Sequence, residues 1–418
     1  MSVIASINDY ENTPFDTASI SRARLDVSDS GRRLNALPWR GQFTPDFIAA
    51  LFEAFPPNGL VLDPFCGSGT SLAEAARLGL PAHGVEVNPS AYILARLYSL
   101  CSAPRVAREE VLRRLRLRLH QFDLATPSAK ILADWITSLE NPFESIVMEA
   151  VFLLALGNGI RTDEQKLARV FNQVAELIQN LPLFPMRVSI ELGDARAIDL
   201  PDHSVDTLIT SPPYVNVFNY HQNYRAATEL LGWDVLPAAR AEFGSNRKFR
   251  QNRFLTVIQY AQDIGIALQE SNRTVRPDGT SIWIVGRESS VRGSSIPNPE
   301  IIYSMAREAA GLNLVGKFER KFRSRFGQLV FEDVLVFRHP TREFRDKIPS
   351  AEVIGREVGV RVLDQLKHDA DTESEISQAI NAADGVHPSN QPRHVRVVPS
   401  VDGRLVSRIV SENTVSGG

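Results

Sequence analysis

Leu60-Val61-Leu62-Asp63-Pro64-Phe65-Cys66-Gly67-Ser68-Gly69-Thr70 runs from three apolar residues into a glycine-containing turn, and an Ala-rich stretch from Ser71 to Leu78 follows it. A short apolar run of this kind reads as a buried strand, the glycines free the backbone for a tight turn, and the alanines predict a helix. Ala82 to Val87 reads as the next strand, so the order strand, glycine turn, helix, strand predicts a βαβ unit. The turn lacks the Gly-Lys pair of a phosphate cradle, and Leu72 stands where a dinucleotide-binding turn has its third glycine. Glu86 lies 23 residues after Asp63 at the end of the second strand, where an acidic side chain accepts hydrogen bonds from a ribose diol. The pattern points to a nucleoside-bearing ligand held without a phosphate grip.

Upstream, Thr44-Pro45-Asp46 predicts a helix start, with Phe47, Ile48, Leu51, Phe52 and Phe55 at helical spacing up to Pro56-Pro57. Residues 1–36 are polar and aperiodic, and read as an extended N-terminal arm. Downstream, residues 101–186 read as a helical insertion, strongly basic from Val106 to Phe122. Strands return at Arg187 to Glu191, Val205 to Thr210, Thr280 to Val285 and Val330 to Phe337, with a helix between Gln251 and Val275. This alternation predicts an α/β fold with a mostly parallel, doubly wound sheet over residues 37–340. Residues 341–418 form a C-terminal extension expected to be partly flexible. Within it, Gly355 to Leu366 is a candidate helix, Asp369 to Pro392 is polar, and Val395 to Ile409 is a candidate hairpin around Asp402-Gly403.

Thr210-Ser211-Pro212-Pro213-Tyr214 follows the Val205 strand directly, which places it at the carboxyl edge of the sheet beside the glycine turn. Two prolines fix the backbone and remove two N–H donors, leaving carbonyl acceptors. Acceptors at Ser211 and a proline carbonyl suit an exocyclic amino group. Hydrogen bonds from both of its N–H groups would pyramidalise the nitrogen and free its lone pair for attack on an electrophile. Tyr214 offers a surface on which a flipped-out base would stack.

The complete strings are more specific than their parts. DPFCGSGT, followed by LGLPAHGVEVNPSAYILA and, later, by TSPPY, resembles the S-adenosylmethionine-dependent DNA amino-methyltransferases, which have a Rossmann-like class I fold. That resemblance implies S-adenosyl-L-methionine as cofactor. It places Asp63, Pro64, Phe65, Gly67, Ser68, Gly69 and Thr70 around the methionine moiety, Glu86 on the ribose with Asn88 beside it, and Asp194-Ala195 at the adenine ring. Phe43 and Thr44, in Pro38-Trp39-Arg40-Gly41-Gln42-Phe43-Thr44-Pro45, match the position before the first strand that contacts the methionine end; a hydrophobic staple at the helix start is the alternative reading. In this family Ser211, Pro212, Pro213 and Tyr214 are the catalytic tetrad, and the serine form is the one most associated with cytosine N4. Adenine N6 and RNA guanine N2 are the alternatives, the latter because the glycine motif here precedes the tetrad by about 140 residues, whereas many cytosine N4 enzymes have the reverse order. A catalytically silent nucleic-acid-binding protein on the same fold is the alternative from another class, and the intact tetrad argues against it. The implied partner is double-stranded DNA with a flipped-out target base, in a restriction-modification setting with a cognate endonuclease acting separately. Cytosine C5 chemistry needs a thiolate on a Pro-Cys dipeptide, and neither Cys66 nor Cys101 stands in one.

Composition is that of a soluble globular protein, with 43% hydrophobic and 23% charged residues, and two cysteines with no CxxC pair give no expectation of a metal site or a disulfide framework. The N-terminus carries no signal-like pattern, which leads to the expectation of a cytoplasmic protein. Net charge is -3, yet Leu236 to Arg345 holds 18 Lys plus Arg against 11 Asp plus Glu. Two clusters dominate this excess: a basic, amide-rich loop with Arg247, Lys248, Arg250 and Arg253, and Lys317 to Arg325, with Lys321 and Arg323, which reads as a strand with one charged face. With Asn216 and Asn219 after the tetrad, these residues predict a one-sided DNA footprint, spanning about 215–255 and the later strand, with binding that weakens as salt rises.

Overall fold

The computed structural model describes residues 7–26, 36–121, 129–183, 187–216, 220–245, 249–323, 327–340, 349–366, 370–392, 395–399 and 405–409. Strands β1 (Val61–Asp63), β2 (Ala82–Glu86), β3 (Val188–Leu192), β4 (Val205–Thr210) and β5 (Val275–Gly286) pair in parallel. A short hairpin, β6 (Glu288–Val291) with β7 (Ser294–Pro297), stands apart. Strands β8 (Asn313–Arg323) and β9 (Leu329–Arg338) complete a seven-stranded sheet of order β3-β2-β1-β4-β5-β9-β8, antiparallel only at β9. This is the Rossmann-like, mostly parallel α/β sheet expected, with an antiparallel strand inserted near one edge.

Side chains alternate across the sheet, as a period of two requires. Val61, Ile282, Ile284, Val334 and Val336 join one core; Leu62, Trp283, Val285, Leu335 and Phe337 join the other. The first core includes the insertion, whose helices span Arg105–Gln121, Ala129–Thr137, Pro142–Leu156 and Glu164–Asn180. The Pro142–Leu156 helix is buried around nearly all its circumference, which explains its almost unbroken apolar sequence. The basic helix against it is largely paired internally. Arg114 and Arg118 both hold Glu144, Arg113 holds Glu110, and buried Arg108 donates to the carbonyls of Ile178 and Leu181 at the end of the Glu164–Asn180 helix.

Three segments differ from the sequence reading. The arm is not simply extended: Ile7–Asn12 and Arg22–Leu25 are helical, and Tyr10, Ile20 and Leu25 are buried. Three widely spaced apolar anchors leave no periodicity to detect. On β8 the charges do not share one solvent face: Lys317 is buried under the arm, donating to the carbonyls of Tyr10 and Thr13, and Arg320 is buried as well. The C-terminal extension packs into the second core. It contains the helix Ala351–Asp364, longer than expected, and a second helix, Ala370–Asn381, inside the stretch whose composition reads only as polar. Strands β10 (Val395–Pro399) and β11 (Leu405–Ile409) form the expected antiparallel pair, while the Asp402-Gly403 turn lies outside the described residues.

Gly355 and Gly359 set the crossing of Ala351–Asp364 over the Leu255–Thr274 helix. A Cβ on Gly355 would lie 2.6 Å from the Gln262 backbone, and one on Gly359 would lie 2.6 Å from the Ile258 Cα. Backbone cannot yield as a side chain can, so Gly359→Val should destabilise the protein by about 3 kcal/mol through overpacking. Urea denaturation checks this, and an unchanged midpoint would mean that the helices separate freely.

Candidate active site

The sheet topology reverses direction between β1 and β4: β2 and β3 lie on one side of β1, β4 and β5 on the other. A crevice opens at the carboxyl ends of strands at such a point. Asp63 ends β1 and Thr210 ends β4, and Thr210 Oγ1 donates to Asp63 Oδ1 at 2.7 Å. The same carboxylate accepts from the Phe65 N–H at 3.1 Å and from the Ser71 hydroxyl. Asp63 thus fastens the glycine turn and the first helical turn after it to the strand that carries the tetrad. Burial pushes its carboxyl up to about 6, while the three donors pull it back toward the usual range.

The turn itself needs its glycines. Gly67 and Gly69 have φ of +55° and +89°. A Cβ on Gly67 would lie 3.2 Å from the Trp39 ring, and one on Gly69 would lie 2.9 Å from Tyr98. Behind the turn, buried Cys66 packs against Gly84 of β2, and burial raises its thiol. It is a packing residue without thiolate character.

Glu86 ends β2 beside the turn. Its carboxylate accepts from the Gly67 and Asn88 N–H groups, each at 2.8 Å, and burial pushes it up to about 7. Asn88 caps the Pro89–Ala95 helix through Oδ1, which accepts from the Ser90 N–H at 2.8 Å, while its buried Nδ2 has no hydrogen-bond partner within the protein. Thr44 precedes the Pro45–Ala54 helix without using its hydroxyl as a cap, and its Oγ1 is likewise buried and unpartnered. Phe43 contacts Phe47 with ring centroids 5.9 Å apart, as a staple would. Ser68 Oγ donates to Gln42 Oε1 at 2.8 Å, tying the turn to the Pro38–Pro45 stretch. Pro64 and Thr70 are buried and Phe65 is half-buried against Phe243. The stretch before β1 and the end of β2 thus each leave one buried polar atom unpartnered, beside a glycine turn whose backbone admits no Cβ.

Asp194 stands two residues past the end of β3. Both of its oxygens accept from Arg196, at 2.6 and 2.9 Å. Arg196 also donates to Asp263 and to the Ser389 carbonyl, each at 2.6 Å, so this carboxylate belongs to a buried network that anchors the C-terminal extension. Ala195 is buried beside it.

The tetrad leaves β4 with Ser211 half-buried and Pro212 buried. The Ser211 and Tyr214 hydroxyls are 3.4 Å apart, and the Tyr214 hydroxyl donates to Glu332 at 3.3 Å. The Tyr214 ring lies over Gly286 at the end of β5, where a Cβ would come within 2.4 Å of it. Beyond the tetrad, Asn216 adopts φ +55°, donates through its side chain to the Ser290 carbonyl, and receives Arg253 at 3.4 Å. His221 and Glu242 form a buried pair, Nδ1 to Oε2 at 2.8 Å, with Tyr220 next to them pushed up to about 12, chiefly by burial and then by Glu242. Tyr224 stacks on Trp39 and donates to the Pro38 carbonyl at 3.0 Å, so the segment after the tetrad covers the stretch before β1.

Of the residues expected to meet a polyanion, Arg250, Lys321 and Arg323 are exposed, and Asn219, Arg247 and Lys248 lie outside the described residues. Part of the charge excess of the Leu236 to Arg345 stretch is matched by carboxylates from outside it, Asp202, Asp206 and Glu375. Arg273 pairs with Glu270 and Asp202, Arg276 with Asp206, Arg287 with Asp333, and Arg292 with Glu375. Thr210, Ser71, Gln42, Trp39 and Glu332 complete the site beyond the residues that the motifs mark. Trp39 and Gln42 fall within a stretch that its aromatic and hydroxyl residues already distinguish; Glu332 carries no local signal.

No helix among the described residues is long and apolar enough to cross a membrane. No family model matches the chain. It is similar to the Type II methyltransferase M.MvaI of Kocuria varians, 21% identical over 356 residues, covering 64% of this chain and 78% of that protein. A shorter similarity, 28% over 61 residues, links it to the Type II methyltransferase M.MjaII of Methanocaldococcus jannaschii and covers 14% of this chain and 12% of that one. Among solved structures, a SAM-dependent methyltransferase of Methanosarcina mazei aligns over 68% of this chain and 93% of its own at 11% identity and a TM-score of 0.33. TrmN of Thermus thermophilus aligns over 72% and 50% at 14% identity and a TM-score of 0.31.

Proposed function

We propose that the protein is an S-adenosylmethionine-dependent methyltransferase that modifies an exocyclic amine of a base in double-stranded DNA, with cytosine N4 as the target. One observation carries this reading. Asp63 joins the glycine turn to the strand that delivers Ser211, which supports a reading in which a nucleoside cradle and an amine-accepting tetrad serve one reaction. The similarity to the Type II methyltransferase M.MvaI over 64% of the chain supports the reading, as does the TSPPY motif, and the proposal extends to a restriction-modification setting with a separate endonuclease.

S-adenosylmethionine, when bound, supplies a methyl group on a positively charged sulfur. Glu86 would accept from the ribose hydroxyls, and the unpartnered Thr44 hydroxyl and Asn88 amide would gain partners at the methionine end and the ribose side. Ser211 and the carbonyls of the proline pair would accept the two amine hydrogens, turning the nitrogen lone pair out of the ring plane toward the methyl. Positioning then provides most of the rate. Among the described residues of the two basic clusters, Arg250, Lys321 and Arg323 are the exposed candidates for phosphate contact.

Incubation with methyl-labelled cofactor and genomic DNA, followed by nucleoside mass spectrometry, tests the reading. N4-methylcytosine is the expected product. N6-methyladenine alone would overturn the base assignment, and label entering only RNA would replace DNA with RNA as the substrate.

A further inference from the structure

Glu332 sits on β9, opposite Gly286 of β5 and therefore next to the glycine over which the Tyr214 ring lies. Its two oxygens face different partners: Oε1 accepts from the Tyr214 hydroxyl at 3.3 Å, and Oε2 accepts from Arg320. Both side chains of this ion pair are nearly buried, with Glu332 at 9% and Arg320 at 4% exposure. Arg320 is itself tightly held. Its guanidinium lies 4.2 Å from the ring centroids of both Phe47 and Phe322, and its Nε donates to the Leu25 carbonyl of the N-terminal arm at 3.0 Å. A buried ion pair of this kind is a poor source of net stability, because desolvating both charges offsets most of their attraction. What it does provide is a fixed carboxylate oxygen at the one point where the tetrad's aromatic residue ends.

We propose that Glu332, oriented by Arg320 and the docked arm, is a positioning residue that holds Tyr214 in the orientation needed for the target base. The inference deepens the function proposed above and rests on it. A serine tetrad gains from such a support. The Ser211 hydroxyl lies 3.4 Å from that of Tyr214 and Glu332 Oε1 lies 3.3 Å from it, so the tetrad shares the holding of its tyrosine with a charged acceptor on β9. The arm that supplies the Leu25 carbonyl thereby acts on the active site without touching it.

The test compares wild type with Tyr214→Phe, Glu332→Gln, Glu332→Ala and Arg320→Met, scoring turnover on whichever nucleic acid the wild type labels, together with cofactor affinity. Tyr214→Phe and Glu332→Ala should each lower kcat about tenfold, the worth of one hydrogen bond to a charged acceptor, and should leave the cofactor Kd unchanged. The double variant should be no worse than either single one. Glu332→Gln should recover most of the loss, because its amide oxygen still accepts from the Tyr214 hydroxyl; a purely structural loss of the ion pair would give no such rescue.

A second measurement needs no substrate. The Val215 N–H donates to Asn298 at 3.2 Å and the Asn216 N–H donates to the Gly244 carbonyl at 2.9 Å, so both amides should resist hydrogen exchange. Exchange there should quicken at least fivefold in Tyr214→Phe and Arg320→Met. Wild-type protection in those variants, or losses that multiply in the double variant, would overturn the proposal. A wild type that labels no nucleic acid would overturn the function reading instead, and the exchange comparison would still decide this one.

Discussion

Ser211→Ala is expected to lower the rate of methyl transfer by about 10²-fold or more, the range seen when one polar group that acts only in the transition state is removed, while cofactor affinity stays the same. The separation of effects follows from where the residue stands. Ser211 lies one position beyond the end of β4, whereas the glycine turn is fastened through Thr210, Asp63 and Ser71. Removing the Ser211 hydroxyl deletes one acceptor for the amine hydrogens and leaves those contacts intact. Thr210→Val, one residue earlier, should behave differently: it strips a 2.7 Å hydrogen bond from a buried carboxylate and should weaken cofactor binding and stability together. Single-turnover transfer and calorimetric titration of the cofactor separate the two outcomes. Full turnover in Ser211→Ala would remove the tetrad from the mechanism.

The contrast between these neighbours marks what a sequence can convey. The glycine turn, the acidic strand end at Glu86 and the tetrad after a buried strand are legible because each is a local pattern with a local cause: backbone freedom, a strand terminus, a fixed proline pair. The bond between Thr210 and Asp63 joins residues 147 positions apart, and nothing in either neighbourhood marks it. The same holds for Asp194, whose motif position says nothing of the Arg196 network reaching Ser389 in which its carboxylate takes part. Charge counting misleads for a related reason. A tally registers Arg276, Arg287 and Arg292 as available cations, and only the fold shows that each is matched by a carboxylate from a distant segment. The docking of the arm is illegible because Tyr10, Ile20 and Leu25 are too far apart for any period, although Tyr10 and Leu25 each meet a charged residue of β8 or β9.

Glu86 should make cofactor affinity and fold stability respond to pH in opposite directions. Its carboxyl titrates at about 7 in the folded protein, above the ordinary 4.5, because burial disfavours the charge more than the two N–H donors favour it. The folded state therefore binds this proton more tightly than the unfolded chain does. Between pH 7 and 4.5, lowering the pH adds stability through this group; above 7 that contribution is gone and burial of the charge costs stability in full. The cofactor asks for the opposite. Ribose hydroxyls are donors here and bond the ionised carboxylate more strongly than the neutral acid, so affinity should be greatest above pH 7 and fall below it. Glu86→Gln should bind the cofactor about 10²-fold more weakly at pH 8, the loss expected for hydrogen bonds to a charged group, and its affinity should no longer follow pH in that range. Asp63 titrates at about 6 and shares the stability trend, but its carboxylate is occupied by Thr210, Ser71 and the Phe65 amide, so its window lies lower and its effect persists in Glu86→Gln. Calorimetric titrations from pH 5.5 to 8.5 test the affinity, and thermal melts of wild type and variant without cofactor test the stability. An affinity that rose as pH fell, or a Glu86→Gln variant that kept the wild-type pH profile, would place the ribose elsewhere in the crevice.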